Sequence, residues 1–182
     1  MKTDRRILKS QEAIKRALVE LMLEKKFDRI TIQDIADRAN VSRRTIYLHY
    51  EDKYDLLEQL IKGHMEELKR ICEAENLTFK DTNLLWFKYF EENFDFFSTM
   101  LASDGATIFR SRFLEFVIQE TNKHNITNRE NHSIEQEAFV HFMGSASVGL
   151  VEWWIRNNIP LSPLHMAEQV GIYLNSFCSL KY

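Results

Sequence analysis

Two arginines, a threonine, two tyrosines and a histidine crowd the stretch VSRRTIYLHYEDK, residues 41–53, around only three aliphatic side chains. Arg43 and Arg44 carry planar, bidentate donors suited to guanine or phosphate. Thr45 offers a hydroxyl and a methyl, and Tyr47 and His49 can reach phosphates while stacking on sugars or bases. Lys53 adds a cation at the start of a following helix, beside that helix's free backbone N–H groups, and the two together would hold a phosphate. This chemistry suits a nucleic-acid groove. The competing reading is that a short helix must expose something and that Arg-Arg-Thr is a solvated face. The chain has no GxSxG, no HExxH, no phosphate-cradling glycine loop and no paired acid and base at a meaningful spacing, so no catalytic residue and no enzyme is expected.

The elements that must hold these residues show helical spacing. From Ser10 to Lys26, Ile14, Ala17, Leu18, Leu21 and Met22 recur as on an amphipathic helix. In the following TIQDIADRAN, Thr31 can cap a second helix and Asp34 sits where the reciprocal carboxylate of a capping box lies. Ile32, Ile35, Ala36 and Ala39 form its buried side. Asn40, which tolerates left-handed geometry, ends it, and Ser42 caps a third helix. On that helix Ile46 and Tyr50 share a packing face with Val41 folded onto them, while Arg43, Arg44, Thr45, Tyr47, Leu48 and His49 cover the rest. A long helix followed by two short ones, the last pair about three residues apart, outlines a helix-turn-helix.

Lys53 opens a fourth helix with Leu56, Leu57, Leu60, Ile61, Met65, Leu68 and Ile71 on one face. The polar segment from Glu73 to Asp81 ends it. LLWFKYFEENFDFF and TIFRSRFLEFVIQ continue the helical pattern to a polar break from Asn122 to His132. A long helix then covers Ser133 to Arg156, NNIPLSPL interrupts, and a last helix runs from about Ser162 to Leu180 with Leu164, Val170, Leu174 and Phe177 among its apolar residues. With only 5 glycines and 2 prolines among 182 residues, long helices are favoured over turn-rich folds.

Net charge is −3, which alone argues against a polyanion partner, but its distribution does not. Residues 1–53 hold 13 Lys+Arg and 9 Asp+Glu, or +4, whereas residues 54–182 hold 11 and 18, or −7. A basic front on an acidic body can still follow a phosphate backbone through its local field. Cys72 and Cys178 are isolated, so neither a disulfide framework nor a zinc motif is expected. His124, His132, His141 and the cysteines are too scattered for a metal site, and no metal or other cofactor is expected. The first residues lack the pattern of an export signal, and the charge-free helical run from Ala138 to Val151 is too short to span a bilayer. A cytoplasmic protein without a membrane partner is expected.

The string TIQDIADRANVSRRTIYLHYEDKYDLL closely resembles the N-terminal signature of the TetR family of transcriptional regulators, over roughly residues 10–60. Its specific elements are Thr31, the DIADRANVS turn, the TIYLHY recognition helix and Lys53. The resemblance implies phosphate contacts at Thr31 and Lys53, and recognition-helix contacts at Arg43, Arg44, Thr45, Tyr47 and His49. Arg44 stands where many relatives have a small residue, and Leu48 takes a place often aromatic. An arginine there makes a G·C contact attractive.

The resemblance further implies an all-α fold of about nine helices. A three-helix, helix-turn-helix DNA-binding domain over residues 1–53 would precede a helical effector-binding and dimerisation domain over 54–182. It implies a homodimer through the last two long helices, bound to a double-stranded, pseudo-palindromic operator, and a repressor released by a small-molecule effector. Trp86, Phe90, Phe94, Phe113, His141 and Trp153 are the candidates to meet that effector. An aromatic stripe at helical spacing also reads as plain core, and His141, between Val140 and Phe142, as a hydrogen-bonded core residue. In FMGSASVGLVEWW, Gly144, Ser145, Ala146, Ser147 and Gly149 suggest close approach of a second helix, from a partner subunit or from the same chain. The alternative function is a TetR-like co-activator acting mainly through a protein partner.

Overall fold

The computed structural model describes residues 5–102, 106–125 and 134–179. Residues 126–133 of the expected break and helix start, Leu180, and the side chains of His124, Leu174, Phe177 and Cys178 lie outside that description. Among the described residues the chain is all-α, with nine α-helices, one 3-10 turn and no strand. It divides into two compact units, Met1–His64 with Thr99–Phe109, and Met65–Ser98 with Arg110–Tyr182.

In the first unit, α1 (Arg5–Glu24) buries Ile14, Ala17, Leu18, Leu21 and Met22, the stripe that a 3.6-residue period puts on one side. A 3-10 turn, Phe27–Arg29, leads to α2 (Ile32–Ala39), which packs on α1 through Ile35 and Ala36. Asn40, at φ 53° and ψ 47°, closes α2 in the left-handed conformation that asparagine adopts with little strain. The next helix, α3 (Arg43–Tyr47), is shorter than its sequence suggests. Beyond Tyr47 the chain turns on bonds from His49 N and Tyr50 N to Ile46 O, both 2.9 Å, which still bring Tyr50 into the core beside the helix end. Then α4 (Lys53–Cys72) begins, burying Leu56, Leu57, Leu60 and Ile61 within this unit.

The second unit is built from the end of α4, α5 (Phe79–Glu92), α6 (Phe94–Ala102), α7 (Ala106–Asn125), α8 (Ile134–Arg156) and α9 (Pro163–Ser179). Both α6 and α7 give their first-unit residues to Thr99–Phe109. Thr78 and Asp81 close a capping box on α5, which packs along α9. The core is aromatic: Phe90 meets Phe97 edge-on at 4.9 Å, and Phe87 meets Trp154 at 5.1 Å. Such edge-to-face pairs add about 0.5–1.5 kcal/mol each beyond area burial. The Trp154 indole N–H donates to Leu161 O at 2.8 Å, which satisfies a polar group in a fully buried ring. Arg110 Nε stands 2.9 Å from Glu152 Oε1, tying α7 to α8 as an ion pair by distance rather than an aligned hydrogen bond.

Candidate nucleic-acid interface

Local caps fix the orientation of α2 and α3. Thr31 Oγ1 accepts from Asp34 N at 3.1 Å, and both Thr31 N and Thr31 Oγ1 donate to Asp34 Oδ2 at 2.8 Å, a complete capping box. Lys25 Nζ lies 2.9 Å from the same carboxylate oxygen. The Lys25 ammonium, then the Thr31 N–H and hydroxyl, pull the Asp34 carboxyl down to about 2. Arg38 spans back to α1, donating to Glu24 Oε2 at 2.7 Å and to Glu20 Oε2 at 3.4 Å. Sequence reasoning missed this strap, although Glu20 and Glu24 one turn apart on α1 were a visible signal. On α3, Ser42 Oγ accepts from Thr45 N at 3.1 Å and shares a hydroxyl bond with Thr45 Oγ1 at 2.9 Å.

These caps divide α3 and its following turn into two sides. Ile46 and Tyr50 are 0% and 2% exposed. Arg43 and Arg44 are exposed, Tyr47 and Leu48 are 51% and 70% exposed, and Thr45 and His49 are half-buried. The Arg43 guanidinium carbon sits 6.0 Å from the Tyr47 ring centroid, which puts the cation over the ring on the outer side. Arg43, Arg44, Tyr47 and Leu48 are therefore one continuous outward group.

Thr31 and Lys53 are engaged differently. Both of Thr31's donors point at Asp34, so a phosphate there would compete with that carboxylate. Lys53 Nζ donates to Phe27 O, Asp28 O and Ile30 O, at 3.0, 3.0 and 2.9 Å. The expectation of free N–H groups at the start of α4 is corrected: Asp52 Oδ1 accepts from Tyr54 N and Asp55 N, at 2.8 and 2.9 Å. Asp52 is the helix cap, a role its type and position before Lys53 could have announced.

Of the effector candidates, the structure gathers three. Phe90 and Phe113 are buried with ring centroids 5.8 Å apart, and Trp86 stands 6.2 Å from Phe90 while its indole N–H donates to Leu68 O at 3.2 Å. Phe94 is half-buried. His141 and Trp153 stand apart from them, exposed on α8. The core reading of His141 is thereby corrected. Val140 is buried, and one helical step of about 100° carries His141 to the exposed side with Phe139 and Phe142.

Residues 14–60 match the family described as bacterial regulatory proteins, tetR family, and residues 78–176 match the transcriptional regulator C-terminal region. A Bacillus subtilis (strain 168) protein, the uncharacterized HTH-type transcriptional regulator YxbF, is 28% identical over 172 residues. The match covers 88% of this chain and 43% of YxbF, so the chain spans less than half the length of that curated relative. The crystal structure of a TetR transcriptional regulator from Streptococcus agalactiae 2603V matches at a TM-score of 0.70 and 28% identity, covering 91% of this chain and 93% of that one. The dihydroxyacetone kinase operon activator DhaS shares the fold, with a TM-score of 0.67 at 20% identity over 95% of this chain and 98% of its own. With residues 14–60 and 78–176 matched in this way, more than half its length, the chain belongs to the TetR family of transcriptional regulators.

Proposed function

We propose that the chain is a cytoplasmic DNA-binding repressor. As a homodimer it would hold a pseudo-palindromic operator until a small-molecule effector in the C-terminal half releases it. The observation that carries this reading is the outward side of α3. A helix needed only for packing has no reason to turn Tyr47 and Leu48 outward beside two arginines, whereas a major-groove helix needs that mixture of charge, ring and methyl. Arg43, Arg44, Thr45, Tyr47 and His49 then face the groove, and Thr31 stands at the adjoining backbone.

The homodimer is supported by large apolar side chains exposed on the last two helices. Phe139, Phe142 and Trp153 on α8, and Leu164, Ile172 and Tyr173 on α9, are 47–53% exposed. Apolar exposure of that density marks an association surface. A two-fold dimer would present its α3 helices to successive major grooves, with half-sites about one helical turn apart. Trp86, Phe90, Phe94 and Phe113 are the residues of the C-terminal half that this reading assigns to the effector, with Trp86, Phe90 and Phe113 in mutual ring contact.

A gel-shift titration on DNA upstream of the chain's own gene, repeated between low and moderate salt, tests the reading. The expected result is a submicromolar shift that weakens steeply as salt rises. No shift below micromolar protein sinks it. A reporter fused to the same upstream DNA should gain activity when the gene is deleted, and loss of activity would overturn repression.

A further inference from the structure

The inward side of α8 is apolar, with Val148, Val151, Trp154 and Ile155 buried, yet it also carries an acid, Glu152, at 9% exposure. A carboxylate taken out of water needs aligned donors or a close, well-oriented cation. Glu152 has neither in full. Its Oε1 is out of contact with solvent and accepts no aligned hydrogen bond among the described residues. Arg110 Nε stands 2.9 Å away, but the Arg110 side chain is 61% exposed against 12% for Glu152, and a solvated cation compensates a buried acid weakly. Replacing such a pair by apolar side chains commonly leaves a fold as stable or more so, and packing alone gives no reason for an acid here. A circuit of contacts links the pair to the aromatic group of the second unit. Phe113, one turn along α7 from Arg110, meets Phe90 at 5.8 Å. Phe90 meets Phe87 at 6.2 Å, and Phe87 meets Trp154, two residues from Glu152, at 5.1 Å.

We propose that Glu152 is the charge-reading group of the effector site, and that the effector is an apolar molecule carrying a protonated amine. The inference rests on the effector reading above and names its ligand class. An ammonium is compact and has three protons, so it can aim a donor at Oε1 from the place that the Arg110 side chain now fills. Arg110, with most of its side chain in water, gives up that place at little cost. An anionic head group would face Glu152 and be repelled. α7 passes into the first unit at Phe109, the residue before Arg110. Exchange of the Arg110 cation for that of the ligand therefore acts on α7 at this passage.

Calorimetric titration of the free protein with phenethylamine, phenethyl alcohol and hydrocinnamate tests the class, since the three carry one ring with a cationic, neutral or anionic head. Wild type should bind the amine about tenfold more tightly than either counterpart, the order of one charge-assisted hydrogen bond. Glu152→Gln, which keeps the shape and removes the charge, should lose that preference. Arg110→Met should bind the amine about tenfold more tightly than wild type, because the competing cation is gone. An ion pair that only ties α7 to α8 predicts no such gain. Equal amine binding in wild type and Glu152→Gln, a preference for hydrocinnamate, or no amine binding by either wild type or Arg110→Met overturns the proposal. The three-probe comparison on wild type decides if a variant does not fold. Gel shifts at constant ionic strength, on a duplex selected by wild type, test the effector role. The amine should raise the protein concentration needed for half-maximal shift in wild type and not in Glu152→Gln. An amine bound at Glu152 without effect on the duplex overturns the proposal. A wild type that binds no duplex overturns the repressor reading itself, while the calorimetry still decides whether Glu152 holds an amine.

Discussion

Gly144 on α8 faces Ile118 on α7 so closely that a Cβ on the glycine would lie 2.9 Å from Ile118 Cγ1 and 3.6 Å from Leu114 Cδ1. The small residue at this point serves the chain's own packing. Gly149 differs: a Cβ there would meet nothing within 4 Å. It falls with Phe142, Ala146 and Trp153 at i, i+4, i+7 and i+11, on the side opposite the buried Val140, Val148, Val151 and Ile155. The small residues of α8 therefore divide between an inner contact and an open outer side.

Gly144→Ala should consequently lower the melting temperature. Overpacking a tight core contact costs about 1–3 kcal/mol, more than the roughly 1 kcal/mol that alanine gains over glycine in a helix. Thermal unfolding beside Gly149→Ala checks this, since the second substitution meets no atom of its own subunit. A Gly144→Ala protein as stable as wild type would show that Ile118 yields freely.

The features legible in the sequence were those closed within one turn of chain. Thr31 with Asp34, Asn40 in the left-handed region and Ser42 with Thr45 N each follow from residue type and a spacing of three or four. The inward pair Ile46 and Tyr50 followed from spacing as well. What was not legible depends on contacts across the sequence. Nothing near Lys53 says that its partners are carbonyls of residues 27, 28 and 30. His141 read as core because its neighbours are apolar, although apolar neighbours on a helix reach both sides. At the end of α8, Asn158 at φ 62° is an expected left-handed residue, whereas Ile159 at φ 55° is a β-branched residue where sterics disfavour one. Only the surrounding packing can hold it there.

Acid should weaken the Thr31–Asp34 cap over a defined window. The Asp34 carboxyl is held at about 2 against an ordinary 3.8, chiefly by the Lys25 ammonium and then by Thr31. Its folded value lies below its unfolded value, so protonation favours the unfolded chain. The cap's contribution is complete above about pH 4 and fades as pH falls through 2. A carbon-detected NMR titration should find the Asp34 midpoint near 2. The gap in denaturant midpoint between wild type and Asp34→Asn should shrink below pH 4. A midpoint near 4 would mean that Lys25 and Thr31 do not hold the carboxylate.

Phe142→Glu should break a homodimer without unfolding the subunit. Phe142 is 52% exposed within its own chain, so a charge there disturbs little of the intramolecular core. Burying such a ring in an interface is worth about 1.5–3 kcal/mol, or roughly a 10- to 100-fold change in dissociation constant for each of two symmetric copies. Sedimentation equilibrium should shift the mass from two chains toward one while helical circular dichroism stays constant. A variant that sediments as wild type would exclude this part of α8 from the interface.

Leu48 should read a thymine methyl. At 70% exposure it stands outward at the end of α3, where it has little packing role and adjoins the exposed Arg44. An aliphatic side chain on a major-groove helix has one base-specific target, the 5-methyl of thymine. Uracil lacks only that group, so a thymine-to-uracil scan of the operator isolates the contact. At one thymine in each half-site the exchange should weaken wild-type binding about fourfold, equivalent to about 0.8 kcal/mol for burying one such carbon. Leu48→Ala should bind the thymine duplex more weakly and respond less to uracil at that position, while keeping the wild-type response at other positions. If the two perturbations add at every thymine, Leu48 does not touch a methyl, and the site must be read by the other groove-facing residues, Arg43, Arg44, Thr45, Tyr47 and His49.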